Sequence, residues 1–295
     1  MAPHQPPYSD EQLETQYSAR KAVPEHPAIF QRWAAQSARY RANTAFLPDQ
    51  AYGSDPRQCY DLFPCEKEST HTLPPLLVFL HGGYWQAMDK SDSSFIARHW
   101  NRLGCAVAIV NYRLCPDHSV EDAVQDTQQA MAHLVGRENP PYDPARIHVC
   151  GHSAGGHLAT MLLASNQSDS GPEAGTVRPG SITSISGLFD LQPLLPTTIN
   201  IALQLDSKTA QRISPVHLQP EFRGPVRLWV GGLESDEFQR QSSDLIAAWQ
   251  TSVPDTSYRV LPGQHHFSMV EQLDDPQSPL FQELARCMGL TVKPE

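Results

Sequence analysis

An α/β fold, with a mostly parallel central sheet and helices on both faces, is predicted by three observations. Short runs such as Leu76–Leu80 and Ala106–Val110 are apolar at every position and alternate with longer helical patterns, as in strands covered on both sides. The run at 147–150 breaks into Gly151-His152-Ser153-Ala154-Gly155 and passes at once into a small-residue, Leu-rich stretch to 163, which reads as a strand turning sharply into a helix. Finally, 295 residues can bury a large core, and α/β folds of this size commonly form one unit, so a single domain over 1–295 is expected.

The elements follow in order. Residues 1–45 should hold N-terminal helices packed on the main body. Ser9-Asp10-Glu11-Gln12 has the form of a capped helix start, and 27–41 carries Ile29, Phe30, Trp33, Ala34 and Tyr40 at helical intervals, an aromatic stripe read as core. Cys59–Phe63 alternates and predicts a strand, and 66–72 is polar. Strands at Leu76–Leu80, Ala106–Val110, 147–150, 181–186, 226–230 and 258–261 then alternate with helices at 93–103, 120–135, 154–163, 238–249 and 279–288. Two stretches break the rhythm. The Ser/Gly/Pro-rich 167–179 predicts a surface loop. The insertion at 187–225, rich in Pro and Leu from 191 onward, is too long for a simple connection and reads as a lid or pocket wall.

Composition removes several classes of function. A formal net charge of -10 without a Lys/Arg cluster argues against nucleic acid or an anionic membrane as partner, and no apolar stretch is long enough to span a bilayer. A small-molecule substrate is the expected partner, and the sequence leaves the oligomeric state open, a homodimer included. The polar, proline-rich start lacks the basic and apolar segments of a secretory signal, so a cytoplasmic protein is expected. Six cysteines without a C-x-x-C pair predict reduced, mostly buried thiols, with Cys59 and Cys65 the one pair near enough in sequence to consider for a disulfide. Thirteen histidines include one H-x-x-x-H spacing, His148 and His152, but it falls in a run read as strand and turn and not on a helix, so neither metal nor cofactor is expected.

The chemistry converges on Ser153. An acyl-transfer serine needs a base to take its proton, a carboxylate to hold that base, and donors for the oxyanion. His81-Gly82-Gly83-Tyr84-Trp85 follows a strand end and offers the backbone amides of Gly82 and Gly83; the amide of Ala154, just after the nucleophile, is the further donor. Glu234-Ser235-Asp236-Glu237 follows another strand and opens a helix. Asp236 and Glu237 occupy first-turn positions where a carboxylate serves the helix N-terminus, which favours Glu234, nearer the strand end, as the orienting acid, with Asp236 the alternative. Gly263-Gln264-His265-His266-Phe267 follows the last predicted strand and supplies two candidate bases that residue type alone does not separate. The chain order Ser, acid, His is that of the α/β-hydrolases.

Taken together, His81-Gly82-Gly83-Tyr84-Trp85, Gly151-His152-Ser153-Ala154-Gly155-Gly156, Gly187-Leu188-Phe189-Asp190-Leu191, Glu234-Ser235-Asp236-Glu237-Phe238 with Gln241-Ser242, and His266-Phe267 resemble the arylformamidase (kynurenine formamidase) group of α/β-hydrolases. Asn111-Tyr112-Arg113-Leu114-Cys115-Pro116 is similar to a strand-end motif of the hormone-sensitive-lipase-like esterases. The resemblance implies the α/β-hydrolase fold, the base at His266 because the base precedes Phe, and the acid at Glu234, where animal members carry Asp. It further implies hydrolysis of N-formyl-L-kynurenine to L-kynurenine and formate, without a cofactor, with Tyr84, Trp85 and Phe189 as candidate walls for an aryl group. A carboxylesterase acting on small aryl or short-chain esters would use the same atoms, and a non-catalytic ligand-binding member of the fold is the more distant alternative.

Overall fold

The structure, a computed structural model, describes residues 8–66, 72–164, 178–220 and 222–293. Among them, eight strands form one sheet: β1 (Leu47–Ala51), β2 (Cys59–Phe63), β3 (Leu76–Leu80), β4 (Ala106–Val110), β5 (Ile147–His152), β6 (Ser181–Ile185), β7 (Val226–Gly231) and β8 (Thr256–Leu261). Their spatial order is β1-β2-β4-β3-β5-β6-β7-β8. The two pairings made by β2, with β1 and with β4, are antiparallel, and every pairing from β4 across to β8 is parallel. This is the sheet expected of the α/β-hydrolase fold.

Register places the site. In the centre, Leu80 pairs with Val110 on one side and Gly151 on the other, so β3, β4 and β5 end at one height. In an open parallel sheet, ligands bind in the crevice beyond the carboxyl ends of the strands, and the loops after β3, β5, β7 and β8 all leave from that edge.

The apolar strands feed two cores. Leu76, Val78 and Leu80 face one layer, built with α5 (Val120–Gly136), α6 (Ala154–Ala164) and α9 (Asp236–Trp249). Leu77 and Phe79 face the other, where Trp33, Trp100 and Phe281 arrive from α3 (His26–Asn43), α4 (Ala97–Leu103) and α11 (Pro279–Cys287). Strand β3, buried on both faces, is therefore apolar throughout, and each fully buried Leu or Phe contributes about 1.5–3 kcal/mol of transfer free energy.

The N-terminal helices are α1 (Asp10–Tyr17), α2 (Ala19–Ala22) and α3. Ser9 caps α1 through a reciprocal pair with Gln12, as its sequence predicts. The 187–225 insertion holds α7 (Asn200–Leu203), α8 (Ser207–Arg212) and two short 3₁₀ turns, fastened by buried Leu191, Leu194, Leu203 and Ile213. The remaining short helix, α10 (Ser268–Glu271), follows the His265-His266 pair.

Two differences from the sequence reading have physical causes. The predicted helix 93–103 is 3₁₀ over Lys90–Ile96 and α only from Ala97, because Asp89 and Asp92 cap each other into a tight turn. Strand β1, Leu-Pro-Asp-Gln-Ala, lies at the sheet edge, mostly exposed, so neither alternation nor an apolar run announces it. None of the six cysteines forms a disulfide, Cys59 and Cys65 included. The predicted loop 167–179 lies outside the described residues up to 177. No helix among the described residues is long and apolar enough to cross a membrane.

Candidate active site

Strand β5 ends in a bend that only small residues permit. Ser153 takes φ +55°, a left-handed conformation that costs a non-glycine residue about 1–3 kcal/mol and is held by its surroundings. A Cβ on Gly155 would stand 2.0 Å from the Leu80 carbonyl oxygen, and one on Gly151 would stand 2.0 Å from that of Gly155. Helix α6 is thereby drawn against β3, and Ala154 is its first residue, with its amide among the unpaired donors of the helix N-terminus.

The loop after β3 approaches from the other side. Gly82 lies so near the elbow that an added Cβ would be 3.1 Å from Cβ of Ser153, and Gly83 takes φ +105° where a Cβ would collide with the Ala87 carbonyl. The amides of Gly82, Gly83 and Ala154 donate to no group among the described residues. Three uncommitted backbone donors in the loops around a serine are the kind of groups that could receive an oxyanion. His81 is buried and serves the turn: its Nδ1 meets the Gly82 carbonyl at 2.8 Å and its ring stacks on Tyr112.

The three carboxylates after β7 part company. Glu234 turns inward, its Oε2 2.6 Å from His266 Nδ1, while its Oε1 accepts the Ser186 hydroxyl at 2.6 Å and the Gly231 amide at 2.7 Å. Asp236 is exposed at the first turn of α9 and accepts the Tyr8 hydroxyl. Glu237 is buried against Arg240 and the Tyr17 hydroxyl. Glu234→Gln should lower kcat about 10³-fold or more, by analogy with other triads that lose the charge holding the base. Asp236→Asn should stay within about threefold, since surface changes act weakly. Steady-state hydrolysis by the two variants checks this, and equal losses would remove Glu234 from its role.

The two histidines part in the same way. His266 is buried, donates Nδ1–H to Glu234, and lines the cavity that Ser153 also lines. No hydrogen bond joins its Nε2 to Ser153 Oγ, which is common where no substrate draws the pair together. His265 is tied to the start of α10: Ser268 N donates to its Nδ1, and its own amide donates to the Ser268 hydroxyl.

Two residues of this site were not singled out by the sequence. His152, inside the elbow, places its Nε2 2.9 Å from the His266 carbonyl oxygen and packs its ring on that of His266. Burial, then the neighbouring His266, holds the His152 pKa well below the usual range, so it stays neutral and donates from Nε2. Ser186, just after β6, donates its hydroxyl to Glu234 at 2.6 Å. The signal available for Ser186 was its strand-end position beside β7.

The cavity beside Ser153 has a volume of about 600 Å³, within the range of small-molecule sites. Its aromatic walls are not those expected. Tyr84 lines it, with its hydroxyl donated to the Tyr17 carbonyl at 2.6 Å. Trp85 and Phe189 do not: both are fully buried, Trp85 edge-on to His157, and Phe189 over Gly187 with its amide on Gln241 Oε1. Phe30 and Trp33 of α3, with Phe267, take their place, and Thr198 and Ile199 bring the 187–225 insertion to the rim. Among the described residues, no group of three or more His, Cys, Asp or Glu is placed to hold a metal ion.

Comparison with known proteins gives a consistent picture. Residues 77–270 match a family model described as the alpha/beta hydrolase fold. The chain is 29% identical to kynurenine formamidase of Danio rerio, over 95% of this chain and 97% of that protein. It is 28% identical to the Salmo salar kynurenine formamidase, over 96% and 94% respectively. A solved structure from Silicibacter sp. TM1040, described as a thioesterase, is 34% identical and superposes with a TM-score of 0.79 over 91% of this chain and 97% of that one.

Proposed function

The chain belongs to the alpha/beta hydrolase family, and we propose that it hydrolyses N-formyl-L-kynurenine, or a closely related aryl formamide, to the amine and formate. The observation that carries this reading is the near-full-length similarity to two enzymes named kynurenine formamidase, joined to a cavity where Ser153, His266 and aromatic walls meet. The formyl group is the smallest acyl group and needs little room at the serine. The aryl amine needs an apolar wall, which Phe30, Trp33 and Phe267 offer.

In the proposed mechanism, His266 Nε2 takes the Ser153 proton as Oγ attacks the formyl carbon, and the carboxylate of Glu234 holds the imidazole and offsets its charge. The amides of Gly82, Gly83 and Ala154 receive the oxyanion, each worth on the order of 3 kcal/mol in the transition state. The imidazolium then protonates the departing aryl nitrogen. Water, deprotonated by the same base, attacks the formyl ester on Ser153 and releases formate. Because the amides are part of the backbone, this stabilisation is already in place before substrate arrives. The cysteines, none of them in a disulfide, support a reducing, cytoplasmic setting.

Ester or thioester hydrolysis through the same atoms is the second reading, favoured by the similarity to the chain described as a thioesterase. Formate release from N-formyl-L-kynurenine, measured beside hydrolysis of 4-nitrophenyl acetate and of a short-chain aryl thioester, separates the two. We expect kcat/KM to be highest for the formamide. Rapid ester or thioester cleavage with undetectable formate release would replace this reading with the second.

A further inference from the structure

We propose that Arg20, supported by Lys21, is a specificity residue that receives a carboxylate carried on the leaving-group side of the substrate. The inference rests on the aryl formamide reading and adds to it the end of the substrate far from the scissile bond.

Both cations stand in the last turn of α2 and line the cavity that holds Ser153 and His266. Arg20 makes no ion pair and no hydrogen bond among the described residues; its guanidinium lies over the Phe30 ring, 5.9 Å from the centroid. Phe30 in turn meets Phe267 edge-on at 5.0 Å, and Phe267 meets His266 at 5.4 Å. A continuous aromatic wall thus runs from the base to the cation. The acid on the cavity wall, Glu14, does not supply the missing anion. Its two oxygens accept the Thr198 amide and hydroxyl at 2.7 Å each, bonds that hold its carboxyl below the usual range. Lys21 adds its field to Glu14, which leaves Arg20 as the cation without a counter-charge.

A guanidinium held by a ring face but otherwise uncommitted suits a bidentate carboxylate, which it can grip with two parallel N–H donors. N-formyl-L-kynurenine has such a group. Its formamide and its amino-acid side chain are ortho on one ring, so with the formyl carbon at Ser153 and the ring along the aromatic wall, the carboxylate extends away from the sheet edge. An ester lacking this arm would forgo the contact, which makes Arg20 a point of discrimination and leaves the chemistry at Ser153 untouched.

The test compares N-formyl-L-kynurenine with N-formylkynurenamine, which differs by the carboxylate alone. Arg20→Ala should lower kcat/KM for the first about tenfold, mainly through KM, as expected for one partly solvated charge pair. The second should change less than twofold, Arg20→Lys should recover part of the loss, and Arg20→Ala/Lys21→Ala should lose more. Equal losses on both substrates, or none on either, overturn the proposal. If the wild-type protein cleaves neither formamide, the formamide reading fails by itself, and calorimetric titration with L-kynurenine and kynurenamine still decides the question. There the wild type should bind L-kynurenine about tenfold more tightly, and Arg20→Ala should abolish the difference; equal affinities, or no binding of L-kynurenine, overturn it.

Discussion

Ser153→Ala should leave a folded protein whose turnover falls by about 10⁵–10⁶-fold, the scale seen when an acyl-transfer serine is removed. The structure says why the fold should survive. Ser153 is buried, but its hydroxyl holds no other described group, so its loss orphans no partner. Alanine meets the same left-handed strain at φ +55° as serine does, and the surrounding collisions that enforce the bend, at Gly151 and Gly155, are unchanged. A melting temperature within about 2 °C of wild type is therefore expected, corresponding to roughly 1 kcal/mol or less in a chain of this size. Residual activity should remain above the uncatalysed rate, because the amides of Gly82, Gly83 and Ala154 still bind the oxyanion. Formate release under single-turnover conditions, with fluorophosphonate labelling as a second measure, reads this directly. A variant keeping more than a hundredth of wild-type activity, or labelled as fast as wild type, would assign the nucleophile elsewhere.

How much of this was legible in the sequence depended on whether the signal was local. The elbow is local: two glycines around one serine, a strand before and a helix after, each required by distances of about 2 Å in the folded chain. The central strands β3 and β4 were legible because burial on both faces favours an unbroken apolar run. That Glu234 meets His266 was favoured in the sequence, since Asp236 and Glu237 had a use at the start of α9 that Glu234 lacked. Choosing His266 over His265 needed the resemblance to a known family, because neighbouring histidines differ only in where the loop after β8 points them.

The cavity wall was not legible, and the reason is geometric. Tyr84, Trp85 and Phe189 stand near the site in sequence, yet successive residues leave a tight loop in different directions. Tyr84 at φ +52° reaches the cavity, whereas Trp85 at φ +55° turns into the core beside His157. Phe30 and Trp33, by contrast, lie more than a hundred residues before the elbow in a stripe that reads equally well as core. Each is partly that: Trp33 is buried among Phe30, Phe95 and Phe267 while lining the cavity. Helical periodicity identifies the face a helix buries but not what lies on the other side of it. Strand β1 was missed for a related reason, since an exposed edge strand has no apolar pattern to display.

His266→Ala should cost about 10⁴–10⁶ in kcat, whereas His265→Ala should cost less than about threefold, and the contrast is the sharper test of the proposed base. Removing the His266 imidazole also uncovers Oε2 of Glu234, a buried carboxylate oxygen with no other described partner. Oε1 keeps the Ser186 hydroxyl and the Gly231 amide, so the acid stays in position and the stability loss should be about 1–3 kcal/mol. The ring is also a packing piece, lying 4.6 Å from both His152 and Phe238, so some loosening of the elbow is part of that cost. His265→Ala removes the acceptor for the Ser268 amide at the start of α10, worth about 0.5–2 kcal/mol as a lost cap, and an edge contact with Phe267 at 6.4 Å, while leaving His266 and Ser153 in place. Added imidazole discriminates chemistry from packing. It should raise the rate of His266→Ala severalfold or more, because a diffusible base can enter a cavity of about 600 Å³ with Glu234 and the oxyanion amides still in place. It should do nothing for Ser153→Ala. Equal losses in the two histidine variants would leave the base unassigned to either, and a deep loss at His265 alone would move it one residue back along the loop.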